Sequence, residues 1–209
     1  MTPLRLGIIA SHGGSNLQAI IDATQAGLLH AVPAVVISNN ADSLALTRAR
    51  NEGIPAYHLS TRTHPAPECL DEAILQALVT HTVDIVVLAG YMKKLGPKTL
   101  HHFNGRILNI HPALLPKHGG QGMYGRRVHE AVLAAGEQTT GVTIHLVTEE
   151  YDSGPIIAQC EVPVYAGDTV DTLAERVLQC EHTFLVETLQ AICAGGVVLS
   201  GLPGRDHVF

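Results

Sequence analysis

The residues best suited to chemistry in this sequence lie in a short run, 109–116, which reads Asn-Ile-His-Pro-Ala-Leu-Leu-Pro. The run continues an apolar segment, so Asn109 and His111 are predicted to lie where a strand ends. Because these residues are two apart, both side chains point to the same side of an extended backbone. An amide and an imidazole held side by side suit an oxygen that gains charge and a nitrogen that loses a proton. The simpler alternative is a strand end with an asparagine turn and a surface histidine.

A carboxylate that could serve this pair occurs later in the chain, where residues 149–155 read Glu-Glu-Tyr-Asp-Ser-Gly-Pro. The segment before it resembles a strand, so Asp152 is predicted to lie in a turn. From such a turn its negative charge can reach an imidazole on another strand and keep it protonated or well oriented. Considered alone, an ordinary turn aspartate is the alternative.

A third candidate site precedes the first predicted helix, where residues 11–16 read Ser-His-Gly-Gly-Ser-Asn. The glycines let the backbone approach a ligand closely, and Ser15 and Asn16 are favourable helix-start residues. A helix N-terminus of this kind suits a phosphate monoester. The segment lacks both the spacing of a dinucleotide fingerprint and the lysine of a Walker motif. A plain strand-to-helix turn is the alternative.

The elements that must position these residues alternate between short apolar runs and helical patterns. Strands are predicted at residues 6–10, 34–38, 84–89, 107–110, 141–148 and 155–164, and helices at residues 15–26, 44–52, 71–81, 128–135 and 168–194. This alternation favours an α/β fold with a mainly parallel, Rossmann-like twisted sheet flanked by helices. The short connection between the last two strands makes the sheet partly antiparallel toward the C-terminus. Ligands are expected at the carboxyl ends of the strands.

Length and composition predict one compact domain over residues 1–209 and disfavour several functions. Hydrophobic residues make up 46% of the chain and charged residues 15%, and the formal net charge of −6 disfavours a nucleic-acid partner. No signal peptide and no apolar run of the ~20 residues that a membrane helix needs are recognised. The four cysteines lack Cys-x-x-Cys spacing and are interpreted as reduced thiols of a cytoplasmic protein without a membrane partner. No His-Glu-x-x-His sequence occurs, so no catalytic metal is expected.

Four stretches of the sequence, in order, resemble the folate-dependent formyltransferase family, and most closely its members that formylate phosphoribosylglycinamide. They are residues 11–20, 86–92, 108–116 and 151–155, and the resemblance covers nearly the whole chain. The third stretch is specific, whereas the fourth is convincing only in combination. The resemblance implies an enzyme that transfers a formyl group from 10-formyltetrahydrofolate to the amine of 5-phosphoribosylglycinamide in purine biosynthesis.

By this resemblance, Asn109, His111 and Asp152 form the catalytic group. Asn109 and a protonated His111 would donate hydrogen bonds to the oxyanion that forms when the amine attacks the formyl carbon. Asp152 would keep His111 protonated and help to relay a proton to the departing folate nitrogen. The resemblance implies no covalent bond between the formyl group and the protein, and no metal. The expected partners are the two small-molecule substrates, and a monomer and a homodimer are both left open.

The resemblance also implies two sets of binding residues. The ribosyl substrate would contact Gly14, Ser15, Asn16 and Glu181. The folate would contact Met92, Lys93, Lys94, Leu95, Asn109, Thr148, Glu149, Glu150, Tyr151 and Asp152. The phosphate-binding half of the domain is then expected at about residues 1–100 and the catalytic and folate-binding half at about 101–195, with a loose tail at 201–209.

Two features of this chain depart from the family pattern. The family often has one basic residue followed by an apolar residue where this chain has Lys93 and Lys94. The segment 117–127 reads Lys-His-Gly-Gly-Gln-Gly-Met-Tyr-Gly-Arg-Arg, and its glycines predict a mobile loop. This loop either closes over the bound substrates or acts as a simple flexible connection.

Other functions share the same catalytic residues. A formyltetrahydrofolate deformylase would use water as the acceptor and usually carries an additional amino-terminal domain. A methionyl-tRNA formyltransferase would carry a carboxy-terminal domain and a basic surface. A sugar-amine N-formyltransferase fits the phosphate-binding turn less well. The non-enzymatic alternative is a degenerate folate- or nucleotide-binding module, which the complete Asn109, His111 and Asp152 set disfavours.

Overall fold

The computed structural model describes residues 2–202, in which strands and helices alternate. In chain order they are β1 (Leu4–Ile9), α1 (Ser15–Gln25), β2 (Ala31–Ser38), α2 (Leu44–Asn51), β3 (Ala56–His58), α3 (Pro67–Thr80), β4 (Ile85–Leu88), α4 (Pro97–His102), β5 (Ile107–His111), α5 (Arg126–Ala134), β6 (Thr139–Leu146), β7 (Ile156–Pro163) and α6 (Val170–Cys193). None of the helices in this part of the chain combines the length and the apolar character that crossing a bilayer requires.

The seven strands form one sheet in the order β3-β2-β1-β4-β5-β6-β7. β1 pairs in parallel with β2 and β4, and parallel pairing extends outward to β3 and β5. β6 is antiparallel to β5, and β7 is antiparallel to β6. The predicted fold class is confirmed, including the mainly parallel sheet and its antiparallel C-terminal part.

Helices cover both faces of the parallel part of the sheet, which explains why its central strands, β1 and β4, are largely apolar and buried. Successive residues of a strand face opposite layers, so Ile8 packs in one core cluster and Ile9 in the other. The first cluster includes Leu17 of α1 and Leu185 of α6, whereas the second includes Leu78 of α3. Because both faces are buried, the register of these strands is strongly fixed.

The sheet has a switch point between β1 and β4, since the chain runs from β1 outward to β3 before it returns to β4. Such a switch point leaves a crevice at the carboxyl ends of the two strands. The segments that follow β1 and β4 therefore meet there, beside the end of β5. This is the edge of the sheet at which the sequence places its candidate residues.

Several boundaries differ from the sequence prediction. β3 and α4 were not predicted, because segments of three and six residues are too short to show a periodic pattern. α3 begins at Pro67 rather than at residue 71, and the fixed φ of proline suits the first helical position. Leu202, in the predicted loose tail, is buried, and its N–H donates to the Leu199 carbonyl. Residues 203–209 of that tail lie outside the described residues.

Candidate active site

A cleft of about 660 Å³ opens at this edge of the sheet. Its volume lies within the range of roughly 300 to 1,000 Å³ that is usual for small-molecule sites. The residues predicted for catalysis, for the ribosyl substrate and for the folate all line this cleft. They come from the ends of β1, β4, β5 and β6, which are neighbours in the sheet, and from Glu181 of α6. The structure thus brings the whole predicted set together.

The two candidates on β5 both line the cleft, as their spacing predicts. His111 is the last residue of the strand and is only 3% exposed, so the alternative of a surface histidine is wrong. Its Nε2 lies 2.9 Å from the carbonyl oxygen of His118. Since a carbonyl can only accept, Nε2 carries the proton in the neutral ring and Nδ1 is left as the basic nitrogen.

A second imidazole, His145 on β6, orients Asn109. The two residues are register partners in the antiparallel pair β5–β6. His145 Nδ1 donates to the Leu146 carbonyl at 2.9 Å, so its Nε2 accepts a hydrogen bond from Asn109 Nδ2 at 3.0 Å. His145 was not predicted as a site residue, because only the register of a long-range strand pair reveals its position next to Asn109.

Asp152 approaches both imidazoles from the turn after β6. Its Oδ2 lies 3.7 Å from His111 Nδ1, and its Oδ1 lies 3.5 Å from His145 Nε2. Both distances exceed those of normal hydrogen bonds, whereas the backbone N–H of Gly120 donates to Oδ2 at 2.9 Å. Asp152 has a φ of 51°, a left-handed conformation that aspartate tolerates better than most residues. The predicted turn is therefore present, and its carboxylate faces the cleft.

The protonation of His111 differs from the sequence-based expectation. Burial lowers the pKa of His111, although the charge of Asp152 and the carbonyl of His118 act to raise it. The expected protonated imidazole is thus replaced by a neutral one at neutral pH. Burial acts to raise the pKa of Asp152, but the neighbouring His145 and His111, together with the Gly120 N–H, lower it overall. The structure therefore places a neutral imidazole beside an ionised carboxylate.

The turn before α1 has the geometry of an anion site. Gly14 is the N-cap, with a φ of 67°. A Cβ at Gly14 would lie 2.7 Å from Ala45 Cα, so the position requires glycine. The helix cap falls on Gly14 rather than on Ser15 or Asn16, and the first amides of a helix have no intrahelical acceptor. These amides belong to residues that line the cleft.

Asn16 and Glu181 form a buried polar pair beside this turn. Asn16 Nδ2 donates to Glu181 Oε2 at 2.8 Å, and Glu181 is 9% exposed. Glu181 is therefore buried rather than exposed on the surface of α6. Burial raises the pKa of Glu181 to about 7, against the opposite effect of Asn16. Asn16 Oδ1 is buried and has no hydrogen-bond partner within residues 2–202, so this position has unused capacity for a polar ligand.

The loops after β4 and β6 are linked by Lys94. Its Nζ donates to the Glu149 carbonyl at 2.9 Å and lies 4.7 Å from the centre of the Tyr151 ring. Lys93 is exposed, whereas Leu95 is buried in the wall of the cleft. The two lysines that depart from the family pattern therefore differ, since only Lys94 connects the two loops.

The glycine-rich segment 117–127 forms another wall of the cleft. Residues 120–126 line it, and α5 begins at Arg126, before the predicted start at residue 128. Gly120 and Gly122 have φ values of 95° and 88°, which residues with a Cβ rarely adopt. Closure of this segment over bound substrates stays a prediction.

His129 on α5 is a further cleft residue that was not predicted from the sequence. It is 5% exposed, and its Nδ1 has no hydrogen-bond partner in the described part of the chain. Burial lowers its pKa, and the neighbouring His111 adds to this effect. The pattern of apolar residues in α5 shows which face of the helix is buried, but it does not show that His129 on that face lines the cleft.

No group of three or more His, Cys, Asp or Glu side chains among residues 2–202 is arranged to hold a metal ion.

The fold and the cleft define an α/β protein with a small-molecule site at the switch point of its sheet. Residues 4–189 match the model of the formyl transferase family, and the chain belongs to that family. The resemblance inferred from the four sequence stretches is thereby confirmed.

Individual relatives agree with this assignment. The chain is 42% identical, over 93% of its length, to the chloroplastic phosphoribosylglycinamide formyltransferase of Vigna unguiculata, and it spans 62% of that protein. It is 40% identical over 86% of its length to phosphoribosylglycinamide formyltransferase of Escherichia coli K12, of which it covers 82%. Glycinamide ribonucleotide transformylase 1 from Symbiobacterium toebii superposes with a TM-score of 0.88 at 39% identity, over 96% of this chain and 92% of that one.

Proposed function

We propose that this protein transfers a formyl group from 10-formyltetrahydrofolate to the amine of 5-phosphoribosylglycinamide, a step of purine biosynthesis. The observation that carries the proposal is the meeting of Asn109, His111 and Asp152 in one cleft with a helix N-terminal turn and two partly apolar loops. Family membership supports formyl transfer, and the names of the relatives support this acceptor. We expect the reaction in the cytoplasm, without a metal, a membrane or a nucleic acid, in a monomer or homodimer.

The ribosyl substrate is assigned to the β1 side of the cleft. The backbone amides at Gly14, Ser15 and Asn16 suit its phosphate, because they are N–H donors at the positive end of α1. Glu181 is assigned to the ribose hydroxyls. With a pKa of about 7, its carboxyl is available both as a donor and as an acceptor near neutral pH.

The formyl folate is assigned to the loops after β4 and β6. A pterin needs apolar walls and backbone hydrogen bonds, and Met92 and Leu95 supply apolar surface there. The residues 148–152 form the opposite wall. Lys93 is exposed and is assigned to the charged tail of the folate, whereas Lys94 is already engaged by the opposite loop.

The folate substrate supplies an activated formyl carbon, and the protein manages the charge and the proton. The Asn109 amide, held by His145, donates to the formyl oxygen as it becomes anionic. The proton that the attacking amine loses passes to His111, and the negative charge of Asp152 stabilises the resulting imidazolium. His111 then gives that proton to the departing folate nitrogen. No bond forms between the protein and the formyl group.

Incubating the protein with both substrates tests the proposal. Mass spectrometry should show the acceptor gaining one formyl group while the folate loses one. Formate release at an equal rate without the acceptor would instead indicate a deformylase. Transfer to an amino sugar in preference to phosphoribosylglycinamide would indicate a sugar-amine formyltransferase. Binding without turnover would indicate a degenerate binding module, and each of these outcomes overturns the proposal.

Asn109→Ala provides the matched loss-of-function variant, because it removes the amide without altering the anion turn. We expect it to lower kcat by ~100-fold or more, as for loss of an oxyanion donor. Asn104→Ala is the control, since Asn104 follows α4 away from the cleft lining. It should retain the wild-type rate.

A further inference from the structure

The turn 118–120 contacts both members of the proposed proton-transfer pair. The His118 carbonyl accepts from His111 Nε2 at 2.9 Å, and the Gly120 N–H donates to Asp152 Oδ2 at 2.9 Å. Between them, a Cβ at Gly119 would collide with Leu115 Cδ2, so the turn is also packed tightly. These contacts are made by the backbone, and they therefore depend on the conformation of the turn as a whole.

This conformation needs support from outside the turn. His118 has a φ of 54°, a left-handed value that residues with a Cβ rarely adopt, and Gly120 has a φ of 95°. Such backbone persists where surrounding contacts determine it. Here the contacts include the bonds to His111 and Asp152, but those two side chains are the groups whose charge and proton take part in the proposed reaction.

The outside support comes from Glu137, in the connection between α5 and β6. Its Oε1 lies 3.3 Å from His118 Nε2, and its two carboxylate oxygens lie 3.0 and 3.1 Å from Lys117 Nζ. Hydrogen bonding from Lys117, followed by that from His118, lowers the pKa of Glu137, so the carboxylate is ionised at neutral pH. Glu137 lines a separate hollow on the outer side of the turn, together with Lys117 and His118.

We propose that Glu137 is a positioning residue, which holds Lys117 and His118 and thereby fixes the turn that orients His111 and Asp152. The effect passes through the backbone: the His118 carbonyl selects the tautomer of His111, and the Gly120 amide sets the position of the Asp152 carboxylate. The expected effect of Glu137 on the turnover rate rests on the proposed formyl transfer. Its expected effect on the tautomer of the His111 ring does not depend on which reaction the protein catalyses.

The test compares Glu137→Ala with Glu72→Ala. Glu72 is a fair control because it also pairs with a lysine, Lys98 at 2.7 Å, and its pKa is also lowered by that lysine. For Glu137→Ala we expect kcat to fall roughly tenfold, with KM for each substrate unchanged within about twofold, since misorientation affects the chemical step. Glu137→Gln keeps an acceptor and should recover part of the rate. Glu72→Ala should behave as the wild type.

Nitrogen-15 NMR of the histidine rings supplies the readout that a purely stabilising ion pair would not change. In the wild type, His111 should show a protonated Nε2 and a basic Nδ1. In Glu137→Ala its two nitrogen shifts should move toward a tautomer mixture, and in Glu72→Ala they should not move. Unchanged His111 shifts in Glu137→Ala would overturn the proposal, and so would changed shifts with an unchanged kcat. If the wild type fails to transfer formyl groups, the formyl transfer proposal fails, while the NMR comparison still decides the role of Glu137.

Discussion

Glu181 should make the folding stability of this protein fall as the pH rises from about 5 to about 8. The residue is 9% exposed, and burial raises the pKa of its carboxyl from 4.5 to about 7. Because the folded state holds this proton more tightly, the stability from Glu181 is fully present below pH 4.5 and is lost as the pH rises through about 7. At ~1.4 kcal/mol for each pKa unit, the loss between about pH 5 and pH 8 is roughly 2 to 3 kcal/mol.

Urea unfolding of the wild type and of Glu181→Gln at several pH values in this range measures that loss. Glutamine does not titrate, so the difference in unfolding free energy between the two proteins isolates the contribution of Glu181. Glu175→Gln is the matched control, because it makes the same substitution at an exposed position of the same helix. Equal pH dependence of the wild type and Glu181→Gln would refute the reasoning.

The other predictions concern ligands. His111→Ala and Asp152→Asn should each lower kcat by ~100-fold or more while calorimetry shows that both substrates still bind; a wild-type rate in either variant would remove that residue from the catalytic group. Gly14→Val should weaken binding of the phosphate substrate, because its Cβ would approach Ala45, while folate binding survives; equal loss of both ligands would indicate a folding defect. Hydrogen exchange across residues 117–127 should slow when both ligands bind, and unchanged exchange would leave this segment as a simple connection.

The fold was largely predictable because its central strands are buried on both faces. β4 is a continuous apolar run, and such a run is recognisable without knowledge of its neighbours. The spacing of Asn109 and His111 also has a local consequence. Because side chains alternate along a strand, two residues that are two apart on β5 lie on the same side. The predicted antiparallel pairing of β6 and β7 followed from the short connection between them.

The missed site residues depend on long-range geometry. His145 is next to Asn109 only through the register of β5 and β6, and His129 faces the cleft only through the packing of α5. The ionisation of His111 could not be predicted from the sequence for the same reason. Burial by distant segments lowers the pKa of His111 more than Asp152 raises it. A sequence places charges along the chain, but desolvation is set by the completed fold.

The charges of His111 and Asp152 in the free protein also determine the sequence of the proposed proton transfers. Burial keeps His111 neutral while Asp152 is ionised, so the pair carries a negative charge before the substrates react. A proton released by the attacking amine then creates an imidazolium beside an existing anion, and that attraction is strongest where water is excluded. The cation thus forms at the stage at which the formyl oxygen becomes negative and accepts a hydrogen bond from the Asn109 amide. Burial of His111 therefore favours a proton that comes from the amine over one already held by the enzyme.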